Sequence, residues 1–179
     1  PPPPLFRPAP ILVEVQPAGG LPPSVGQAPR QGRTYVFNRE TGGPIWPIVE
    51  EPVEQSMVPG EKLAATQPNP TKPAPFDMQG LTEDGLVDFT PEIKRMALEA
   101  VAEYQLGGVF NPPLQRNNPQ GKLASIQCPA GAVNITHPSS ADPNTGIMYI
   151  ISSSGCGSRQ LDRKSTRLNS SHVVTSYAV

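Results

Sequence analysis

Between Glu50 and Phe76, proline occupies positions 52, 59, 68, 70, 73 and 75. Each proline fixes φ and removes a backbone donor, so this stretch cannot form a regular helix, and any strand within it is confined to a sheet edge. The pattern predicts an extended surface excursion. The whole chain holds 25 prolines among 179 residues, about twice the usual share, and only 6% aromatic residues. Such a chain buries little surface by itself. Charged residues make up 16%, so proline and glycine, not charge repulsion, make it rich in loops.

Just before the excursion, "RTYVFNRETGGPIWPI" (Arg33 to Ile48) reads as a strand, a tight turn and the start of a second strand. Tyr35, Val36 and Phe37 are strand formers, and Glu40-Thr41-Gly42-Gly43 supplies the reversal. A lone hairpin is marginal in water, so it requires further strands. "PILVEV" offers a weak one, with Ile11, Val13 and Val15 alternating. "GKLASIQC" and "GIMYIISS" predict strands at about 121–128 and 146–153. "ADPNTG" ahead of the latter is a turn, and it shares with "FNRETGGPIW" a polar Asp/Asn-containing reversal ending in Thr-Gly beside an aromatic strand. Two partial copies of this kind suit neighbouring blades of a repeating β architecture.

The clearest helix lies in "FTPEIKRMALEAVAEYQLGG". Thr90 caps it, Pro91 suits the first position and Glu92 complements the dipole. Ile93, Met96, Ala97, Ala100, Val101 and Tyr104 form an apolar stripe expected to face a core, and Gly107-Gly108 is the expected stop, giving helix over about 91–105. A short helical turn is expected after Thr82.

Formal net charge is −1, with no basic block, which excludes a nucleic-acid partner on electrostatic grounds. No apolar run approaches the roughly 20 residues of a membrane helix, and the start "PPPPLFRPAP" has neither Met nor a signal-peptide layout, which leads us to expect a chain that begins mid-protein. Cys128 and Cys156 lack metal-ligand spacing; a disulfide is one reading of the pair.

The last eighteen residues, "DRKSTRLNSSHVVTSYAV", have no proline and no coherent apolar face. Three of the 14 basic residues and one of the 15 acidic ones lie there, so residues 1–161 carry −3. Asp162 to His172 resembles, codon by codon, the in-frame translation of a common sequencing adapter. We therefore expect 162–179 to be a non-native tail, with other native residues after Leu161. The remaining organisation is a poorly defined proline-rich start over 1–32, with room for part of a blade, and a main segment over 33–161.

The run "YVFNRETGGPIWPIVEEPVEQSMVPGEKLAATQPNPTKPAPFDMQGLTEDGLVDFTPE", with "GGVFNPP" and "GAVNITHPSSADPNTGIMYI" after it, resembles the quinoprotein dehydrogenases that use pyrroloquinoline quinone, in the branch containing membrane-bound glucose dehydrogenases. The resemblance covers about residues 30–161. It implies a mainly β fold, part of an eight-bladed propeller amounting to roughly two or three four-stranded blades. On that basis the missing partners of Thr34 to Asn38 are expected in blades outside this chain.

In that family a Lys or Arg ahead of the hairpin reaches the reactive quinone carbonyl, and "PRQGRTYVFNR" places Arg30 there. A fixed cation polarises the carbonyl and stabilises the developing oxyanion, and Arg cannot deprotonate. The competing reading of Arg30 is a solvated loop residue. The family's glycine-rich cofactor-lining segment corresponds to "GAVNITHP", with Asn134 as a cofactor contact and Ile135 in place of the family's Trp; the competing role of Asn134 is a turn residue bonding its own backbone. His137 invites a general-base role, yet family catalysis uses an Asp and a calcium or magnesium site supplied elsewhere, so a loop role is preferred and no metal ligand is assigned here. Trp46 is expected to pack between sheets, and Lys72, Asp142 and Tyr149 to serve turns and strands.

The resemblance thus implies a periplasmic enzyme, membrane-associated through a region not present here, that oxidises a sugar or alcohol and passes electrons to ubiquinone; the chain by itself is expected to be inactive. The alternative is a propeller repeat serving as a binding scaffold. A proline-rich interaction segment is disfavoured because the prolines alternate with capped helix and strand signals.

Overall fold

A computed structural model describes residues 9–13, 22–130 and 139–161. In chain order the strands are β1 (Ile11–Val13), β2 (Ser24–Gln27), β3 (Tyr35–Asn38), β4 (Ile48–Pro52), β5 (Thr66–Pro70) and β6 (Gly80–Leu81). A short 3-10 turn (Glu83–Gly85) and helix α1 (Pro91–Val101) come next. After the helix follow β7 (Tyr104–Gln105), β8 (Gly107–Gly108), β9 (Leu114–Gln115), β10 (Ala124–Gln127), β11 (Ser140–Ala141), β12 (Met148–Tyr149) and β13 (Gly157–Leu161). The fold is mainly β, as the resemblance implied. The described residues fall into two compact units, drawn from within 1–51, 68–77 and 131–154, and from within 52–67, 78–130 and 155–179.

The first unit is organised by the antiparallel sheet β1-β2-β3, in the register Leu12↔Val25 and Val25↔Phe37. A bridge between Phe37 and Pro44 and a bond from the Ile45 N–H to the Val36 carbonyl (2.9 Å) add a fourth short line. The partners of β3 therefore lie in this chain, which corrects the expectation that they lie outside it. Ser24–Gln27 escaped sequence reasoning because it sits between prolines and carries Gly26, a poor strand former. That glycine has a packing reason: a Cβ there would stand 3.1 Å from Met148 Sδ and 3.5 Å from Val13 Cγ2. Ser24, Thr34 and Tyr35 are buried with Val13 and Ala28, so this core is small and partly polar. Among the described residues, β4 and β5 of the proline-rich excursion pair only with each other, as edge strands should.

The two Thr-Gly reversals are the same turn. In the first, Asn38 Oδ1 accepts from the N–H groups of Glu40 (2.8 Å) and Thr41 (3.0 Å), the Gly42 N–H reaches the Asn38 carbonyl (2.9 Å), and Gly42 has φ +73°. In the second, Asp142 Oδ1 accepts from the Asn144 N–H (2.8 Å), the Gly146 N–H reaches the Asp142 carbonyl (2.8 Å), and Gly146 has φ +69°. Thr145 Oγ1 adds a bond to Asp142 Oδ2 (2.8 Å).

The Asn144 N–H, followed by the Thr145 hydroxyl, holds the Asp142 carboxyl below its ordinary value of 3.8. A depressed folded value means that the turn is stabilised above the ordinary carboxylate range and loses that support as pH falls through the folded value. Asn38 makes equivalent bonds without titrating. Acidification from about pH 5 to about pH 2 should therefore lower the protection factor of the Asn144 amide, taken relative to an unstructured peptide at the same pH, and leave Glu40 and Thr41 comparatively protected. Equal acid sensitivity of the two turns would refute this assignment.

The second unit holds the four-stranded sheet β7-β10-β13-β9. β10 and β13 are antiparallel (Ser125↔Arg159), while β7 runs parallel to β10 and β9 parallel to β13. β6 pairs antiparallel with β8. Cys128 and Cys156 form a disulfide one step beyond the Gln127↔Gly157 pair, with Cα atoms 4.5 Å apart. The predicted strands at 121–128 and 146–153 contract to β10 and β12.

Helix α1 begins as expected, with Thr90 Oγ1 accepting from the Ile93 N–H (3.2 Å) and Pro91 at the start. It ends at Val101, short of the expected 105, because Tyr104 and Gln105 pair with β10 instead. Gly107 and Gly108 are strand residues, not the helix stop. The expected core-facing stripe is not buried: Met96 is 57% exposed and Ala100 is exposed, and the half-buried face runs through Ile93, Ala97, Leu98 and Val101. Arg95 and Glu99 pair at 2.6 Å on the exposed side, where such a pair contributes little.

Candidate functional site

Arg30 lies just beyond β2, on a turn with a buried base. Ala28 and Pro29 are fully buried before it, and Thr34 and Tyr35 are buried after it. The Gly32 N–H closes the turn on the Pro29 carbonyl (3.3 Å), and Gly32 takes φ +72°, a conformation that suits glycine. Arg30 itself is exposed, and its side chain makes no hydrogen bond or ion pair among the described residues. An anchored backbone thus presents an uncommitted guanidinium.

The carbonyl of Gly32 accepts from the Phe76 N–H (2.8 Å), which fixes the end of the proline-rich excursion against the Arg30 turn. The next residue, Asp77, accepts a hydrogen bond from Ser152 Oγ on Oδ2 and one from Ser154 Oγ on Oδ1 (2.9 Å). Sequence reasoning missed all three of these residues. Asp77 stands in an irregular segment, and the serines belong to a plain "SSS" run with no spacing signal.

Asn134, Ile135 and His137 lie outside the described residues, so the structure does not place them beside Arg30. Trp46 is half-buried, Lys72 and Tyr149 are exposed, and Asp142 serves its turn. Tyr35, within the Arg30 neighbourhood, donates its hydroxyl to the Pro68 carbonyl (2.7 Å). Burial pushes its phenol up, Arg33 pulls it partly back and Glu50 adds to the rise. Tyr35 is therefore neutral at physiological pH and serves as a hydrogen-bond donor.

Pyrroloquinoline quinone is an anionic ligand, carrying carboxylates as well as an ortho-quinone. An exposed Arg with no ion pair among the described residues fits such a group, since the planar fork can engage a carboxylate or a quinone oxygen. Among the described residues, no group of three or more His, Cys, Asp or Glu side chains gathers as metal ligands, and no helix is long and apolar enough to cross a membrane.

Residues 6–176 match the family described as PQQ: glucose/ethanol/alcohol dehydrogenase, beta-propeller domain. Among curated proteins, the chain is similar to quinate/shikimate dehydrogenase (quinone) of Acinetobacter baylyi, with 27% identity over 133 residues. The alignment covers 74% of this chain and 16% of that relative. No solved structure matches significantly. The β-rich sheets are consistent with part of a propeller. The resemblance to quinoproteins is thus supported at the level of the family, while the glucose dehydrogenase branch is not singled out. The chain belongs to the PQQ-dependent glucose/ethanol/alcohol dehydrogenase β-propeller family.

Proposed function

We propose that these residues form part of a larger quinoprotein dehydrogenase that oxidises an alcohol carbon of a sugar or related polyol to a carbonyl and passes the electrons to ubiquinone. When bound, pyrroloquinoline quinone supplies the electron-accepting chemistry. The observation that carries the reading is Arg30: the cation that the sequence resemblance assigns to the quinone carbonyl, without an ion pair among the described residues, on a turn whose base is buried. With the quinone bound, its donors would hold a quinone oxygen and offset the charge that develops there. The name of the Acinetobacter relative supports a quinone-linked oxidoreductase and widens the substrate class to cyclic hydroxy acids. The Cys128–Cys156 disulfide supports a periplasmic location, since disulfides persist in oxidising compartments.

In the complete dehydrogenase, replacing Arg30 by Gln should lower kcat/KM roughly 100- to 1,000-fold, the scale seen when an oxyanion-stabilising donor is removed. Full turnover of the Gln variant, measured by dye-linked oxidation, would reject the assignment. The 179-residue chain, supplied with the quinone and calcium or magnesium, should show no such oxidation by itself.

A further inference from the structure

In the first unit, one carboxylate joins the segments that this proposed function needs in register. Phe76 binds the carbonyl of Gly32 and so fixes the turn that carries Arg30. Asp77, its neighbour, holds Ser152 and Ser154, at the far end of the segment that begins at residue 139. The partners are distant in sequence, 75 and 77 residues away, so the clamp sets tertiary spacing, not local conformation. Both carboxylate oxygens are engaged, each by a hydroxyl donor, and such charge-assisted bonds are stronger than neutral ones.

We propose that Asp77 is a positioning residue that, through Phe76 on one side and Ser152 and Ser154 on the other, fixes the Arg30 turn relative to the segment after residue 138 and thereby aims the guanidinium at the quinone. The proposal rests on the role assigned to Arg30 above. Its chemistry is structural: Asp77 touches neither quinone nor substrate, and it acts by holding backbone. Small displacements of a reacting group are costly, about 100-fold in rate for a shift near 1 Å.

Two measurements test it. In the 179-residue chain, Asp77→Ala should speed amide exchange at Phe76 roughly tenfold, the effect of losing about one hydrogen bond's worth of local stability. In the complete quinone-loaded dehydrogenase, Asp77→Ala should lower kcat/KM roughly 100-fold. The double variant Ser152→Ala/Ser154→Ala should reproduce both effects with Asp77 intact, which guards against a folding defect at Asp77 alone. Asp77→Asn should lose less, because an amide keeps one acceptor and can donate to the second serine oxygen. Added to Arg30→Gln, Asp77→Ala should cause little further loss, since the two act as one unit.

Retention of turnover in Asp77→Ala, equal losses in Asp77→Asn and Asp77→Ala, or full multiplication of the Asp77→Ala and Arg30→Gln effects would each overturn the positioning role while leaving the Arg30 assignment standing. Full turnover in Arg30→Gln would overturn the assignment itself, and the positioning role with it.

Discussion

Replacing Gly80 by alanine is expected to destabilise the second unit by about 4 kcal/mol or more, the range that marks backbone-level disruption. Gly80 has φ +106°, a region that L side chains rarely adopt, and this alone costs about 1–3 kcal/mol. A Cβ there would also stand 2.3 Å from the Gly107 carbonyl oxygen and 2.5 Å from Gly108 Cα. Both are backbone atoms of β8, so no rotamer relieves the clash and the β6–β8 pair must part. The neighbouring chain cannot easily retreat. A Cβ on Gly107 would itself meet Asn111 Cγ at 2.8 Å, and Asn111 is buried, with Nδ2 donating to the carbonyls of Gln105 (3.2 Å) and Ile126 (2.9 Å). Gly108 is the control: nothing lies within 4 Å of a Cβ there, so Gly108→Ala should stay within about 1 kcal/mol of the parent. Urea melts of the two variants decide the matter, and a Gly80→Ala chain that melts with the control would show that β6 and β8 do not approach as described.

The same glycines show what the sequence could and could not reveal. Gly107-Gly108 reads as a helix stop because glycine after an amphipathic stretch usually is one. Their actual task, close approach to Gly80, depends on a partner 28 residues upstream of Gly108 and has no local signature. The start of α1 was legible because Thr90 and Pro91 act within one turn, whereas its end was decided by the non-local pairing of Tyr104 with Ala124. Both Thr-Gly reversals were legible for the same reason as the cap, since Asn38 and Asp142 bond their own following backbone. Two-residue strands such as β7, β9 and β11 offer no periodicity at all. At the candidate site, Arg30 was found through a motif, while Asp77 could not be, because the serines it binds are more than 70 residues away.

Removing the disulfide, by Cys128→Ser with Cys156→Ser, should cost about 3.6 kcal/mol by the loop-closure relation for a separation of 28 residues. The link continues the β10–β13 register at a point where Cys128 is fully buried, so the native strands already bring the two residues together and the bond acts mainly on the unfolded chain. The Ala130 N–H bond to the Gly155 carbonyl (2.8 Å) closes the same neck without covalent help. It should hold the folded geometry near that of the parent once the sulfurs are gone. The expected result is therefore a large fall in the urea midpoint together with near-parental amide chemical shifts of Ser125 and Ile126 in native buffer. If reduction instead left the midpoint unchanged, the cysteines would not be joined in solution. If the fall came with these β10 amide shifts displaced from the parental values, the bond would be holding the β10–β13 pair together in the folded state, and the entropic account would be wrong.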